Sequence, residues 1–176
     1  MRDRLWNLAS WAGAATALVV LDQCTKMMAV RHLKGKSPFV LLDGIFELLY
    51  SENRGAAFGI LQGRQGFFFV VALIVLAVAV FVMWRMPGWG NVRYHWLKAC
   101  TIMITAGALG NMIDRVAKGY VVDFFYFKLI NFPIFNVADI YVVVATIGLF
   151  ILFLFVYKEK DLEFLNFKQN RYREMK

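Results

Sequence analysis

Cysteine and histidine are scarce in this sequence of 176 residues, which contains two of each. Cys24 and Cys100 fall near opposite faces of a predicted bilayer core about 30 Å thick, so we expect no disulfide between them. His32 and His95 lie far apart in sequence and have no metal-ligand spacing, so we predict no metal site. The sequence also lacks G-x-S-x-G, H-E-x-x-H, Walker and dinucleotide-binding motifs. Any catalysis is therefore expected to depend on aspartates.

Charged residues are also few. They make up 18% of the chain against 60% hydrophobic residues, and the mean hydropathy is +0.57. Soluble domains average about 45–50% apolar residues, so this composition indicates a membrane protein. The net charge is +8, but the chain lacks the polar, basic face that nucleic-acid binding requires. We therefore expect the basic residues to set the topology and to contact membrane lipid, with no nucleic-acid partner.

Four apolar segments predict four transmembrane helices, at about residues 6–30, 67–84, 99–116 and 140–157. The first follows Arg2 and Arg4, as in a signal peptide. It runs past signal length without a cleavage site, so we interpret it as a retained helix.

The polar segments between these helices predict the orientation of the chain. Intervals 31–66 and 117–137 lie on one side of the membrane, and the charged tail 158–176 lies on the other side with the N-terminus. Lysine and arginine number 11 on the side of the termini and 7 on the opposite side. The positive-inside rule therefore favours cytoplasmic termini and extracytoplasmic intervals. Since the sequence has no repeats or linkers, we expect residues 1–176 to form one membrane-embedded domain.

The interval 31–66 is predicted to hold a small β element, because Pro38 and six glycines argue against a continuous helix. Short apolar runs at 39–42 and 45–50 flank Asp43-Gly44, a turn sequence typical of hairpins. The interval 31–66, with Asn53 beside the flexible stretch 55–58, is a candidate clamp or lid over the substrate. The predicted fold is thus an all-α polytopic membrane protein of four transmembrane helices, with a small extracytoplasmic β element and a mobile loop between helices one and two.

Aspartates between residues 107 and 139 are the candidate catalytic groups. A carboxylate at membrane depth costs about 2.5–3.5 kcal/mol on insertion scales, so such groups are rare unless they have a function. Asp123 lies in an apolar setting, and Asp139 starts the fourth helix with Asn136 three residues before it. Two carboxylates in a partly dry site would share a proton, so that one activates a water and the other protonates a leaving group. The structural alternative is a helix N-cap for Asp139 and an isolated surface position for Asp123.

Other charged residues in the helices favour a structural interpretation. Asp22 and Lys26 are four positions apart, so they share one helical face, and Asp22 is expected to point into the protein. Asp114 and Arg115 are adjacent and are expected to neutralise each other or other buried partners. A carboxylate kept paired with arginine is a poor acid or base, so we predict a structural network for these two residues.

Five motifs together resemble the bacterial prolipoprotein signal peptidase (signal peptidase II) family. They are DQCTK at 22–26, NRGAAF at 53–58, GALGNMIDR at 107–115, VVDF at 121–124 and FNVAD at 135–139. The resemblance covers nearly the whole chain, with the motifs in the right order around four spans. One departure is Ala106, where the family often has a further glycine, and it affects helix packing rather than chemistry.

The resemblance implies an aspartic endopeptidase of the bacterial cytoplasmic (inner) membrane, active at the outer face. Such an enzyme cleaves prolipoproteins on the amino side of a diacylglyceryl-modified cysteine, needs no metal or organic cofactor, and is inhibited by globomycin. It also implies a catalytic pair, Asp123 and Asp139, and we expect a monomer. By motif match, the supporting residues are Asp22, Asn53, Gly55, Asn111, Arg115 and Asn136, and the structural polar residues are Lys26 and Asp114.

Two other functions remain open at this point. A small ion- or proton-coupled transporter would distribute its carboxylates through the depth of the bilayer. In this sequence Asp22, Asp114, Asp123 and Asp139 fall near the outer ends of the predicted helices or beyond them, which favours surface chemistry. A non-catalytic membrane scaffold is the second alternative.

Overall fold

The computed structural model describes residues 1–55 and 63–166 of the chain. The main helices are α1 (Arg2–Leu33), α2 (Gln65–Arg85), α3 (His95–Lys118) and α4 (Val137–Ile151). A 3₁₀ turn, Val92–Tyr94, precedes α3, and a π turn, Leu152–Val156, continues α4. With these extensions, the described part of the chain has four helices long and apolar enough to cross a membrane. The predicted number of spans is thus confirmed, although each helix begins several residues earlier than the sequence indicated.

Helix α3 lies at the centre of the bundle. It contacts each of the other three helices. Half of its most apolar, membrane-length stretch is buried, whereas the buried fraction is 17–22% in the corresponding stretches of the other helices. Small residues on α3 permit this close packing. A Cβ atom at Gly107 would lie only 2.6 Å from the carbonyl oxygen of Ala138 on α4. The outward faces of α2 and α4 carry exposed valines, leucines and isoleucines, as expected of surfaces that contact lipid.

The β element is a three-stranded antiparallel sheet of order β1-β2-β3. Its strands are β1 (Phe39–Leu42), β2 (Phe46–Asn53) and β3 (Val121–Phe127). The predicted hairpin is present as β1 and β2, with Gly44 at φ +66° in the turn. The sequence did not predict β3, which lies in the second polar interval and pairs with β2. This pairing sets Asp123 opposite Ser51.

The first part of the tail forms regular structure that packs on the bundle. Residues Glu159–Leu165 form a 3₁₀ helix, and Asp161 is buried in an ion pair of 2.6 Å with Arg93. Tyr94 donates a hydrogen bond of 2.9 Å to the carbonyl oxygen of Asp161. This segment therefore packs on the turn before α3. Residues 56–62, which belong to the predicted lid interval 31–66, and residues 167–176 lie outside the described residues.

Candidate active site

Asp123 is placed by the register of β3 against β2. Its side chain is 1% exposed. Asn53, at the end of β2, donates from Nδ2 to one carboxylate oxygen of Asp123 at 3.0 Å. Asn136 donates from Nδ2 to the other oxygen at 2.6 Å. The predicted alternative of an isolated surface aspartate is wrong, because the sheet folds this residue into the interior.

Asp139 is placed by the first turn of α4. Asn136 caps this helix by accepting a hydrogen bond from the backbone N–H of Asp139 at 3.1 Å, and the Asp139 carboxylate accepts from the backbone N–H of Asn136 at 3.1 Å. This reciprocal pair is a capping box. The N-cap is therefore Asn136 and not Asp139. Asn111 on α3 donates from Nδ2 to the remaining oxygen of Asp139 at 2.8 Å.

Asn136 connects the two carboxylates, which we call the aspartate pair. Its backbone N–H binds Asp139 and its side-chain amide binds Asp123. Each of the four carboxylate oxygens accepts one protein hydrogen bond, from Asn53, Asn111 or Asn136. Because a carboxylate oxygen can accept about two hydrogen bonds, each retains a site for a water or a proton.

Burial changes the acidity of Asp123. Removal from water raises its pKa from the ordinary 3.8 to about 7, and the nearby negative charge of Asp139 contributes to the increase. Hydrogen bonds from Asn53 and Asn136, together with the charge of Lys26, act in the opposite direction on this pKa. At neutral pH the pair therefore retains a proton for part of the time, as an acid–base site requires.

We expect the stability of the fold to depend on pH through Asp123. Its pKa of about 7 exceeds the unfolded value near 3.8, so the folded state binds more protons between these values. The stabilisation from this group is present at low pH and is lost as the pH rises towards 7. Thermal unfolding of the wild type and of Asp123→Asn in detergent should show it. The wild type should lose stability relative to the variant between about pH 4 and pH 7. A constant difference would contradict the raised pKa.

A buried charged network supports the pair from α1 and α3. Asp22, Lys26 and Asp114 are all 0% exposed. The Lys26 ammonium lies 2.9 Å from Asp22 and 3.2 Å from Asp114. Lys118 also binds Asp114, at 2.8 Å. Asp114 is thus bound by these two lysines and by the backbone N–H of Val122. Of the two predicted alternatives, this agrees with neutralisation by other partners rather than by the neighbouring Arg115.

Asp22 and Gln23 fix α1 against the other two helices of the site. Asp22 accepts from the backbone N–H of Ala138 at 2.9 Å, at the start of α4. Gln23 donates to the carbonyl oxygen of Gly110 on α3 at 3.1 Å. A Cβ atom at Gly110 would lie 2.5 Å from the Asp22 carboxylate, so glycine is needed for this approach. Sequence analysis did not identify Gln23 or Lys118, since neither position carries a pattern that indicates its partner.

Arg115 faces the same site. Its guanidinium donates to the carbonyl oxygen of Gly55 at 3.1 Å and lies 4.2 Å from the ring centroid of Phe68. The buried Nε atom of Arg115 has no hydrogen-bond partner in the described part of the chain. A buried donor without a partner is costly, so it is a natural binding group for a carbonyl oxygen of a ligand.

A cavity of about 660 Å³ opens beside the aspartate pair. Asp123, Asp139, Asn53, Asn111 and Arg115 line its polar part. Its remaining walls are apolar. They come from α2, α3 and α4, with Phe68, Ala72 and Val142 among them, and from Val121 on β3 and the loop residues 132–135 before α4. The described residues contain no cluster of three or more histidines, cysteines or acids that could hold a metal ion.

The fold and the site define a class of protein. The described part of the chain has four apolar helices and a buried pair of carboxylates at the polar end of an apolar cavity, which is the arrangement of a multi-pass membrane protein with a buried polar site. Comparison with known proteins identifies the family. The chain belongs to the signal peptidase II family. The model of this family, described as Signal peptidase (SPase) II, matches residues 14–155. The resemblance carried by the five sequence motifs is thereby confirmed.

Individual relatives agree with this assignment. The chain is 38% identical over 148 residues to a lipoprotein signal peptidase of Streptococcus thermophilus, covering 84% of this chain and 92% of the relative. It is 45% identical over 139 residues to one from Caldanaerobacter subterraneus, covering 78% and 91%. A solved structure described as a bacterial membrane enzyme superimposes with a TM-score of 0.74 at 32% identity, covering 86% of this chain and 93% of that one.

Proposed function

We propose that this chain is an aspartic endopeptidase that removes the signal peptide from prolipoproteins. It cleaves on the amino side of a diacylglyceryl-modified cysteine, at the outer face of the bacterial cytoplasmic membrane, with both termini in the cytoplasm. The observation that carries the proposal is the hydrogen bonding of one residue, Asn136, to both Asp123 and Asp139 beside a large apolar cavity. The names of its relatives, lipoprotein signal peptidase, support the choice of substrate.

The aspartate pair acts through one water and one shared proton. Two adjacent carboxylates do not both ionise readily, so the pair carries a single proton at the working pH. The ionised member removes a proton from the water while the oxygen of the water bonds to the scissile carbonyl carbon. The protonated member then donates its proton to the amide nitrogen as the carbon–nitrogen bond breaks. The two apparent pKa values of this cycle belong to the pair rather than to either residue.

The cavity suits a substrate that is itself a membrane segment. Its apolar walls accommodate side chains of the signal peptide, while the polar end receives the scissile bond. An extended peptide at membrane depth carries backbone groups that cost several kcal/mol each if left without hydrogen bonds. The unpartnered Nε of Arg115 is placed to bind one such carbonyl oxygen. Globomycin-type peptides are expected to occupy the same cavity, and the enzyme is expected to act as a monomer.

The distribution of buried acids favours a peptidase over a transporter. Asp22, Asp114, Asp123 and Asp139 belong to one connected network, joined through Lys26, Asn111 and Asn136. A proton pathway would need further acids along the bundle. In the described segments, the remaining buried acids are Glu47 on the sheet and Asp161 beside Arg93, and both are ion-paired.

The proposal is tested with purified protein in detergent and a synthetic precursor peptide carrying a diacylglyceryl cysteine. Mass spectrometry should detect two products, one of which begins with the lipidated cysteine. The same peptide with an unmodified cysteine is the matched control and should be cleaved far more slowly. A protein that leaves both peptides intact, in detergent and in reconstituted bilayers, is not this peptidase.

The same assay should give a bell-shaped dependence of kcat/KM on pH. Activity should fall above about pH 7, because the pair then loses the proton that the leaving nitrogen requires, as the pKa of Asp123 near 7 indicates. It should also fall in acid, where the water-activating carboxylate becomes protonated. A profile that is flat from about pH 4 to pH 9 would contradict the shared-proton mechanism.

A further inference from the structure

Lys26 is a fully buried lysine whose three N–H groups all have partners. They are the carboxylates of Asp22 at 2.9 Å and Asp114 at 3.2 Å, and the amide oxygen of Asn111 at 2.9 Å. The first two contacts are ionic and hold the ammonium between α1 and α3. The third contact is of a different kind, because Asn111 also binds the aspartate pair.

The contact with Lys26 determines how the amide of Asn111 is oriented. An ammonium group can only donate hydrogen bonds, so the atom of Asn111 that faces it must be the oxygen. The NH₂ group of Asn111 therefore points to Asp139, where it donates at 2.8 Å. Were the amide rotated, its oxygen would face the Asp139 carboxylate, and two acceptors would oppose each other.

Asn136 also donates to the Asn111 oxygen, at 3.1 Å, but it does not replace Lys26. Asn136 starts the same helix that carries Asp139, so it moves with Asp139. Lys26 is anchored on α1 and holds the Asn111 amide from outside α4. The path from Lys26 through Asn111 to Asp139 therefore connects the pair to a fixed part of the bundle.

The charge of Lys26 also matters for the protonation of the pair. The site and its network contain four acids and three bases. If one acid holds a proton, three negative and three positive charges remain, and the net charge of these seven groups is zero. Asp22 and Asp114 each contact a lysine ammonium directly, whereas the hydrogen bonds printed for Asp123 and Asp139 come from amide groups. The groups that face one another here are the acids Asp22, Asp114, Asp123 and Asp139 and the bases Lys26, Lys118 and Arg115.

We propose that Lys26 is a positioning residue for the aspartate pair, orienting Asn111 on Asp139 and supplying the positive charge that keeps the pair singly ionised. This inference rests on the proposed function of the pair. It extends the structural role expected for Lys26 from the sequence, because it gives the residue an effect on the reaction without contact with the substrate.

Lys26→Met tests the proposal, with Lys98→Met as the matched control. Lys98 is also 0% exposed, but it donates to Asn7 and lies about 20 Å along α3 from Asn111. Lys26→Met should lower kcat by about 10- to 100-fold with KM changed less than about threefold. Its pH profile should shift upward by about one pH unit, since a lost positive charge makes ionisation of the pair harder. Lys98→Met should leave both the kcat and the pH profile unchanged.

A second variant protects the test against misfolding. Lys26→Met leaves buried acids without their partner, whereas Asp22→Asn combined with Lys26→Met removes a complete ion pair, which folded proteins tolerate better. Asp22→Asn alone is the comparison for this double variant. If the folded double variant has the kcat and pH profile of Asp22→Asn, Lys26 is only a structural ion-pair partner and the proposal is wrong.

A titration separates this inference from the proposed function. The carboxyl carbons of ¹³C-labelled aspartate can be followed by NMR against pH in purified protein, with Asp123→Asn used to assign the Asp123 signal. The pKa of Asp123 obtained from this signal should be higher in Lys26→Met than in wild type and unchanged in Lys98→Met, whether or not the protein is an active peptidase. An unmoved Asp123 signal in Lys26→Met overturns the role of Lys26. Full activity of Asp123→Asn instead overturns the function of the pair.

Discussion

Replacing Asp123 or Asp139 with asparagine is expected to lower kcat by about 1,000-fold or more, because each change removes one of the two groups that transfer protons. Asparagine has nearly the same shape as aspartate, so the fold should be retained. The double variant should be little slower than either single variant, since the two acids act as one unit. The measurement is single-turnover cleavage of the lipidated peptide, which separates chemistry from product release.

Asp161→Asn is the matched control for this experiment. Asp161 is buried and bound to Arg93 by an ion pair of 2.6 Å, but it belongs to the tail segment packed near the start of α3. Its replacement should reduce thermal stability and leave kcat within about twofold of wild type, because the hydrogen bonds of the aspartate pair are untouched. If Asp123→Asn or Asp139→Asn retained near-wild-type rates, that residue would not belong to the catalytic pair.

Gly107→Ala is expected to destabilise the packing of α3 against α4 while every hydrogen bond of the polar network is retained. An added Cβ atom would lie 2.6 Å from the carbonyl oxygen of Ala138 and 2.5 Å from Val142. Backbone cannot move aside as a flexible side chain does, so α3 and α4 must separate. Overpacking of this kind costs about 1–3 kcal/mol. It should also reduce kcat, because α3 carries Asn111 and α4 carries Asp139.

Thermal unfolding in detergent measures this effect, with Gly13→Ala as the control. Gly13 lies within α1, and a Cβ atom there would meet nothing within 4 Å. Alanine favours a helix over glycine by up to about 1 kcal/mol, so this variant should be as stable as wild type or slightly more stable. Equal melting temperatures for Gly107→Ala and Gly13→Ala would show that α3 and α4 are less closely packed than the structure indicates.

The spans and the hairpin could be predicted because their signals are local. Segments 67–84 and 140–157 each contain 18 residues without a charge, and Asp43-Gly44 identifies the turn between β1 and β2. Strand β3 gave no such signal. Its sequence, VVDFFYF, is almost wholly apolar and lacks the alternation of polar and apolar residues that indicates a half-exposed strand. The first four residues of β3 are all buried.

The location of the site could be predicted, but its connections could not. Asp123 and Asp139 each lie in one of the five motifs that resemble the family. Asn136 precedes Asp139 by three residues, which is the spacing of a helix cap. The burial of Asp123 depends on pairing with β2, about 70 residues earlier, as its bond with Asn53 shows. The bond between Lys26 and Asn111 spans 85 positions. Contacts of this kind depend on helix packing, which no local pattern encodes.

The capping box at the start of α4 has a consequence for the membrane in which the protein works. A single asparagine side chain of fixed length ties the first turn of a helix to a strand of the sheet. The spacing of the two acids is therefore set by covalent geometry and two hydrogen bonds, of 2.6 Å to Asp123 and 3.1 Å to the backbone of Asp139, and not by how far the helices tilt. A thicker or thinner bilayer can widen or narrow the apolar cavity while the acids keep their separation.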